Sequence, residues 1–170
     1  KACAVPQRKW ELRGKEINRI RLNRLYSENN IFEEITFHDG VNIILGEKYD
    51  DRSVKGRKTN GVGKSMSIEF LDFCFLNDYE KSRIVKIPKE VFPVEENVIL
   101  DLDIGQETVT IKRNRKQADK PILIREGKTV SFDKIQDARD YLTGIIFSKL
   151  NGKKVPSFRN LFSILMRDER

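Results

Sequence analysis

Apolar and polar positions alternate from Ile17 to Ser27, where Ile20, Leu22 and Leu25 stand between Asn and Arg, and this predicts a strand closed by the turn residues Glu28-Asn29-Asn30. Phe32 to Phe37 alternates again and runs into His38-Asp39-Gly40, a tight-turn signal. The next run, Val41-Asn42-Ile43-Ile44-Leu45-Gly46, is almost continuously apolar, the pattern of a strand buried on both faces in an α/β sheet. From Glu47 to Lys58 the pattern is lost and eight of twelve residues are charged, which predicts a mobile surface loop. At Gly63 the period changes from two to 3.6, with Ile68, Leu71, Cys74 and Phe75 on one face, so a helix is expected to about Asn77.

The chain is irregular through Pro88 and Pro93. Short alternating runs then follow at Asn97–Ile104, Glu107–Arg113 and Pro121–Arg125, separated by Gly105-Gln106 and by the polar stretch Asn114 to Lys120, and they predict an antiparallel meander over 97–131. Asp133 is the expected N-cap of a helix from Lys134 to Phe147, and Ser157 that of another to about Arg167, giving C-terminal helices within 133–169.

Composition adds boundaries to this outline. The 170 residues, 38% apolar and 35% charged, suit one domain with a hydrophobic core. No run approaches the roughly 18 apolar residues that span a bilayer, and the start Lys1-Ala2-Cys3-Ala4-Val5-Pro6 lacks the apolar core of a signal peptide, so no membrane partner and a cytoplasmic location are expected. Cys3 and Cys74 have neither metal-ligand nor disulfide-framework spacing, and His38 is the single histidine. The net charge of +7 is local: residues 1–24 carry eight Lys or Arg against two Glu. Such a stretch suits nucleic-acid phosphates, and it suits equally a solvated leader, because Trp10 is its single aromatic and single-strand binders interleave several.

The chemistry-bearing segment is Thr59-Asn60-Gly61-Val62-Gly63-Lys64-Ser65. Glycines let the backbone fold into a nest whose N–H groups face phosphate oxygens, a lysine ammonium reaches the β and γ phosphates, and a serine hydroxyl ligates magnesium. A helix starting there adds unpaired N–H groups and the positive end of its dipole. Asn60, Gly61, Val62, Gly63, Lys64, Ser65 and Met66 are therefore the candidate contacts to ATP, with Ser65 the candidate ligand of Mg2+. The pattern G-x-x-x-x-G-K-[ST] departs in one place: Lys58 stands where its first glycine would be, and the glycine that ends the preceding run is Gly46.

The string Asn60-Gly61-Val62-Gly63-Lys64-Ser65 resembles the N-G-x-G-K-[ST] core of SMC, RecN and related ABC-type ATPases. The run Phe37-His38-Asp39-Gly40-Val41-Asn42-Ile43-Ile44-Leu45-Gly46-Glu47-Lys48, the charged insertion 47–58, and Pro156-Ser157-Phe158-Arg159-Asn160-Leu161-Phe162 through Ile164-Leu165-Met166-Arg167-Asp168-Glu169 look like SMC-like ATPases of bacterial multi-component systems, many linked to anti-phage defence. The resemblance covers about Ile17 to Glu169 and leaves residues 1–16 outside as a basic leader or extension. It implies an α/β fold: the N-terminal lobe, over 17–170, of an ABC/SMC-type P-loop NTPase, with a mixed sheet, a P-loop helix and an antiparallel β-meander, leading into a coiled coil. It further implies ATP and Mg2+ as cofactors, and as partners a C-terminal head lobe, a second SMC-like head in a homodimer, DNA, and accessory or effector subunits of a defence system. Walker B and the ABC signature do not occur in this sequence, so no catalytic residue is assigned in this lobe and the lobe alone is expected to be inactive.

Other residues carry weaker claims. Tyr26 and Ser27 end the first strand, where relatives of that fold bring side chains near adenine or phosphate; as turn-flanking residues they need no such role. No glutamine follows Gln136, so the magnesium-contacting glutamine of related heads has no counterpart, and Arg159 or Arg167 stands as a phosphate contact, a link to the coiled coil, or a helical surface arginine. His38 reads as a turn residue, and Phe70, Phe73 and Phe75 as core. Two rival functions remain: a stand-alone P-loop kinase or GTPase, for which the paired-arginine lid and the N-K-x-D motif are missing, and a nucleic-acid-binding or structural module with a vestigial nucleotide site.

Overall fold

The structure, a computed structural model, describes residues 18–44, 64–148 and 159. Six strands are formed: β1 (Ile20–Ser27), β2 (Ile35–Thr36), β3 (Val98–Ile104), β4 (Glu107–Arg113), β5 (Ile122–Arg125) and β6 (Lys128–Ser131). Two α-helices accompany them, α1 (Lys64–Cys74) and α2 (Ile135–Ile146), with short 3-10 turns at Tyr79–Lys81 and Arg83–Lys86. The strands make one sheet in the order β2-β1-β3-β4-β5-β6, and every neighbouring pair is antiparallel.

Register explains which side chains are inside. Leu25, Leu100, Ile111, Leu123 and Val130 lie in one row across five strands, and the side chains of that face carry the core. A bulge between Leu22 and Arg24 restores the inward parity of Ile20 and Leu22 with Leu25 and Ser27. Both helices pack on this face: Arg113, inward on β4, reaches the backbone of α1, and Arg139 of α2 reaches Leu76, two residues past the end of α1. The opposite face bears a polar row, in which Asp101 accepts from Arg24 (2.6 Å) and from Thr110 (2.6 Å). No helix covers that face among the described residues.

This arrangement corrects the expected fold. The described residues form a wholly antiparallel sheet with two helices on one side, not the mixed sheet of a P-loop NTPase lobe leading into a coiled coil. The reason lies in the connections: hairpin turns join β3 to β4 and β5 to β6, and α1 returns the chain antiparallel to β1 rather than as a parallel crossover. The run predicted as a doubly buried strand also behaves differently: residues 41–44 are not in a strand, and Val41 and Ile43 are 89% and 74% exposed. Leu45 and Gly46, the charged insertion 47–58 and the basic segment 1–16 lie outside the described residues.

Several boundaries are close to expectation and some are not. The helix expected to start near Gly63 begins at Lys64, and the meander contains a fourth strand, β6. Its turn, Glu126-Gly127, has positive φ at both residues (49° and 75°), the two-residue geometry that matches the twist of a hairpin. The helix expected from Lys134 starts at Ile135 with Lys134 as its N-cap, and Asp133 instead pairs with Lys120 at 3.2 Å. The helix expected from Ser157 lies outside the described residues apart from Arg159, which is helical.

Candidate functional site

The candidate site begins at the N-terminus of α1. Lys64 is its first residue, Ser65 is exposed, and Met66 is half-buried against the core. The first-turn N–H groups of a helix have no intrahelical acceptor, and no acidic side chain stands in this first turn to compete for them. Asn60, Gly61, Val62 and Gly63 lie outside the described residues. Among the described residues no group of three or more His, Cys, Asp or Glu is arranged to hold a metal ion.

Burial rises along α1. Met66 to Glu69 are half-buried, and Phe70, Leu71, Phe73 and Cys74 are buried. Phe70 stacks on Phe32 (4.8 Å, 11°) and leans on Phe92 (5.1 Å), so the aromatic residues of this segment are core, as their spacing predicts. Glu69 ties the middle of the helix to the 3-10 turns, accepting from Ser82 Oγ (3.0 Å) and Arg83 N (3.0 Å) and pairing with Arg83 Nε at 3.3 Å.

The C-terminus of α1 is closed with unusual thoroughness. Leu76 N donates to Phe73 O (3.0 Å) and Asn77 N to Asp72 O (3.1 Å), the two bonds of a Schellman motif. Its left-handed position, usually a glycine, is Leu76 at φ 61°. Three arginines from three different parts of the chain then donate to Phe73 O a second time and to the carbonyls that follow the helix. Arg113 Nη1 donates to Phe73 O (2.6 Å) and Asn77 O (2.7 Å), Arg139 donates to Leu76 O through Nε (3.0 Å) and Nη2 (2.7 Å), and Arg159 Nη1 donates to Phe75 O (3.2 Å). The last turn of α1 has no basic residue of its own, so the cations that complement the negative end of its dipole come from elsewhere.

The charges around this end are balanced unevenly. Arg159 pairs with Asp72 at 2.6 Å and Arg139 with Asp78 at 2.7 Å. Arg113 is 1% exposed, bonds only to carbonyls, and leaves Nη2 without a hydrogen-bond partner among the described residues. Burial pushes its guanidinium down to about 10. Arg115, 8% exposed, plays a similar part in the preceding loop, donating to Phe92 O (2.8 Å), Ile87 O (2.8 Å) and Tyr79 Oη (3.2 Å).

The weaker candidates resolve as follows. Ser27 is buried, and its Oγ accepts from Ile31 N (2.6 Å) and Phe32 N (3.3 Å), a turn-closing role. Tyr26 lies on the face of the sheet away from α1, beneath the Arg24 guanidinium at 4.5 Å. Burial, with the nearby Asp101 charge, pushes its phenol up. His38 sits in a turn in which its N–H donates to Asn42 Oδ1 (2.8 Å). Gln136 donates to Asp140 on its own helix (2.9 Å). Arg159 is a helix-end ligand on the Asp72 side of α1, and Arg167 lies outside the described residues. Sequence reasoning missed Arg113 and Arg139. The signal for Arg113 was its parity: it shares the inward face of β4 with Val109 and Ile111, a position where an arginine must find buried acceptors.

Among comparisons with known proteins, no protein-family model matches the chain, and no solved structure does. The chain is similar to the uncharacterized protein YydD of Bacillus subtilis (strain 168), at 33% identity over 92 residues. The match takes in 52% of this chain and 14% of that protein's length, so it covers a small part of a much longer relative.

Proposed function

We propose that this chain binds ATP with Mg2+ through Asn60 to Ser65, with Met66 adjoining, and that it does so as part of an ATPase that needs further protein for turnover. One observation carries the reading: α1 begins at Lys64, so the lysine and serine of Asn-Gly-Val-Gly-Lys-Ser occupy the first turn of a helix, where N–H groups lack intrahelical acceptors and the dipole favours phosphate. Ser65 is exposed there, open to a metal-bound phosphate. Lys64 and Ser65 can neutralise and orient phosphates, but they cannot position an attacking water. Hydrolysis therefore requires a carboxylate and a closing surface from outside this sequence, for which the resemblance to SMC-like ATPases suggests a C-terminal segment and a second copy. Action on DNA belongs to the same proposal and is supported by that resemblance, with a salt-sensitive affinity as its expected mark.

The test is titration calorimetry of Mg-ATP into the full chain and its Lys64→Ala variant. Wild-type binding that is lost in the variant, with the thermal transition unchanged, supports the reading. Equal affinity in both refutes it.

A further inference from the structure

The helix that begins with Lys64 is held through its middle, where Glu69 accepts from Ser82 and Arg83, and most fully toward its far end. Its N-terminal residues Ser65 to Glu69 are exposed or half-buried, whereas everything from Phe70 to Leu76 except Asp72 is buried, and arginines donate to Phe73 O and to the carbonyls of Phe75, Leu76 and Asn77. An 11-residue helix is a rod about 16 Å long. A rod fixed from its middle to its far end has its first turn aimed by those fixtures. Two of the three fixing arginines belong to the sheet and to α2, elements that share the core with α1. The third, Arg159, lies beyond α2 in the chain and touches Asp72 Oδ1 of α1 (2.6 Å) and Phe75 O just past its end (3.2 Å). Asp72 projects from the last turn, where it also accepts from Asn77 Nδ2 (2.5 Å).

We propose that Arg159 is a positioning residue for the phosphate end of α1: its grip on Asp72 and Phe75 O sets the angle at which Lys64 and Ser65 are presented, and so couples the segment beyond α2 to occupancy of the nucleotide site. The inference rests on the ATP reading above. Coupling of this kind is reciprocal, so bound nucleotide must strengthen the Arg159–Asp72 interaction by the factor by which that interaction strengthens nucleotide binding. A bond that merely stabilises the fold has no such dependence.

The experiment is a double-mutant cycle on the full chain with Arg159→Ala, Asp72→Asn and their combination, with Arg159→Lys as the conservative variant and Lys64→Ala as the control. Mg-ATP affinity is read by calorimetry, and the Arg159–Asp72 coupling is read from thermal stability with and without Mg-ATP. We expect Arg159→Ala and Asp72→Asn each to weaken Mg-ATP binding about fivefold or more, without additivity in the double variant, and Arg159→Lys to recover part of the loss. The pairwise coupling should be larger with nucleotide bound. Should Arg159→Ala fail to fold, Asp72→Asn carries the same test, because it keeps the side-chain shape and an acceptor for Asn77. Wild-type affinity in Arg159→Ala and Asp72→Asn, while Lys64→Ala loses binding, overturns this inference and leaves the ATP reading intact. A coupling that is the same with and without nucleotide overturns it as well. Undiminished binding by Lys64→Ala removes the ATP reading and this inference with it.

Discussion

Arg113 holds Phe73 twice: its Nη1 donates to the Phe73 carbonyl over 2.6 Å, and its guanidinium carbon lies 4.2 Å from the centre of the same residue's ring. The first contact complements the negative end of α1 and the second places the cation against a π-face, so the helix is joined to β4 through backbone and side chain at once. Among the described residues no carboxylate pairs with Arg113. The stability of this corner therefore rests on carbonyls, and for two of them, Asn77 O and Ala118 O, Arg113 is the donor the structure shows.

Replacing Arg113 tests that dependence. Arg113→Met fills much of the volume but leaves the Asn77 and Ala118 carbonyls without this donor, and Arg113→Lys offers a point charge where a planar fork is needed. Each change should cost roughly 2–4 kcal/mol, read from the urea midpoint at unchanged m-value. A loss under about 0.5 kcal/mol in both would mean that those carbonyls find other donors.

Leu76 makes a finer prediction, because two effects oppose each other there. Its φ of 61° strains any residue with a Cβ by roughly 1–2 kcal/mol, yet its side chain is completely buried. Leu76→Ala loses the side chain and keeps the strain, for a cost of roughly 2–5 kcal/mol, whereas Leu76→Gly loses the side chain and sheds the strain. Both variants should be less stable than the parent, with the glycine variant more stable than the alanine one by about 1 kcal/mol in chemical denaturation. The reverse order would show that the left-handed conformation is not retained.

What could be read from the sequence was whatever depended on local pattern. The alternation of Val98 to Ile104 and Glu107 to Arg113 gives β3 and β4 at nearly their observed limits, and the change of period at Gly63 gives α1. The sheet's hand of cards was not local. Val41 to Ile44 has the composition of a buried strand, but composition does not say whether a neighbour exists, and here Val41 and Ile43 face solvent. The expectation of a mixed sheet came from resemblance around the glycine-rich loop and fails for the described strands, whose pairing is set by hairpins and by the β1–β3 register. At the candidate site, the helix start at Lys64 was legible, while the arginine closure of its far end was not. It joins residues as far apart as Asp72 and Arg159, and a single sequence carries no trace of that contact.

Cys74 gives a prediction about reactivity. Its thiol is fully buried in the last turn of α1, and burial pushes it far above the ordinary range for a cysteine. In the native protein it should resist iodoacetamide at neutral pH and become labelled only as denaturant unfolds the chain, with peptide mass mapping used to separate it from Cys3. Rapid native labelling at Cys74 would show that the end of α1 opens locally.

The last prediction concerns acid. Asp78 follows the arginine-closed end of α1, and hydrogen bonds first from Lys81 (2.7 Å) and then from Arg139 (2.7 Å) hold its carboxyl down at about 2. The unfolded value is near 3.8, so between these limits the unfolded chain binds the extra proton. The contribution is thus complete above about pH 4 and is lost as pH falls toward 2. Because the Asp78 side chain is 40% exposed, solvent screening reduces the contribution to roughly 1 kcal/mol. Glu28, held low by Lys112 and Asn97, and Glu107, held low by Arg125, act in the same direction, so the acid limb is shared. Asp78→Asn should be less stable than the parent at pH 7 by about that amount, and the two stability curves should converge as pH approaches 2. A difference that stays constant from pH 7 to pH 2 would assign the loss to the shape of the Asp78 contacts rather than to its charge, and would remove ionisation from the account of how Arg139 is held over Leu76.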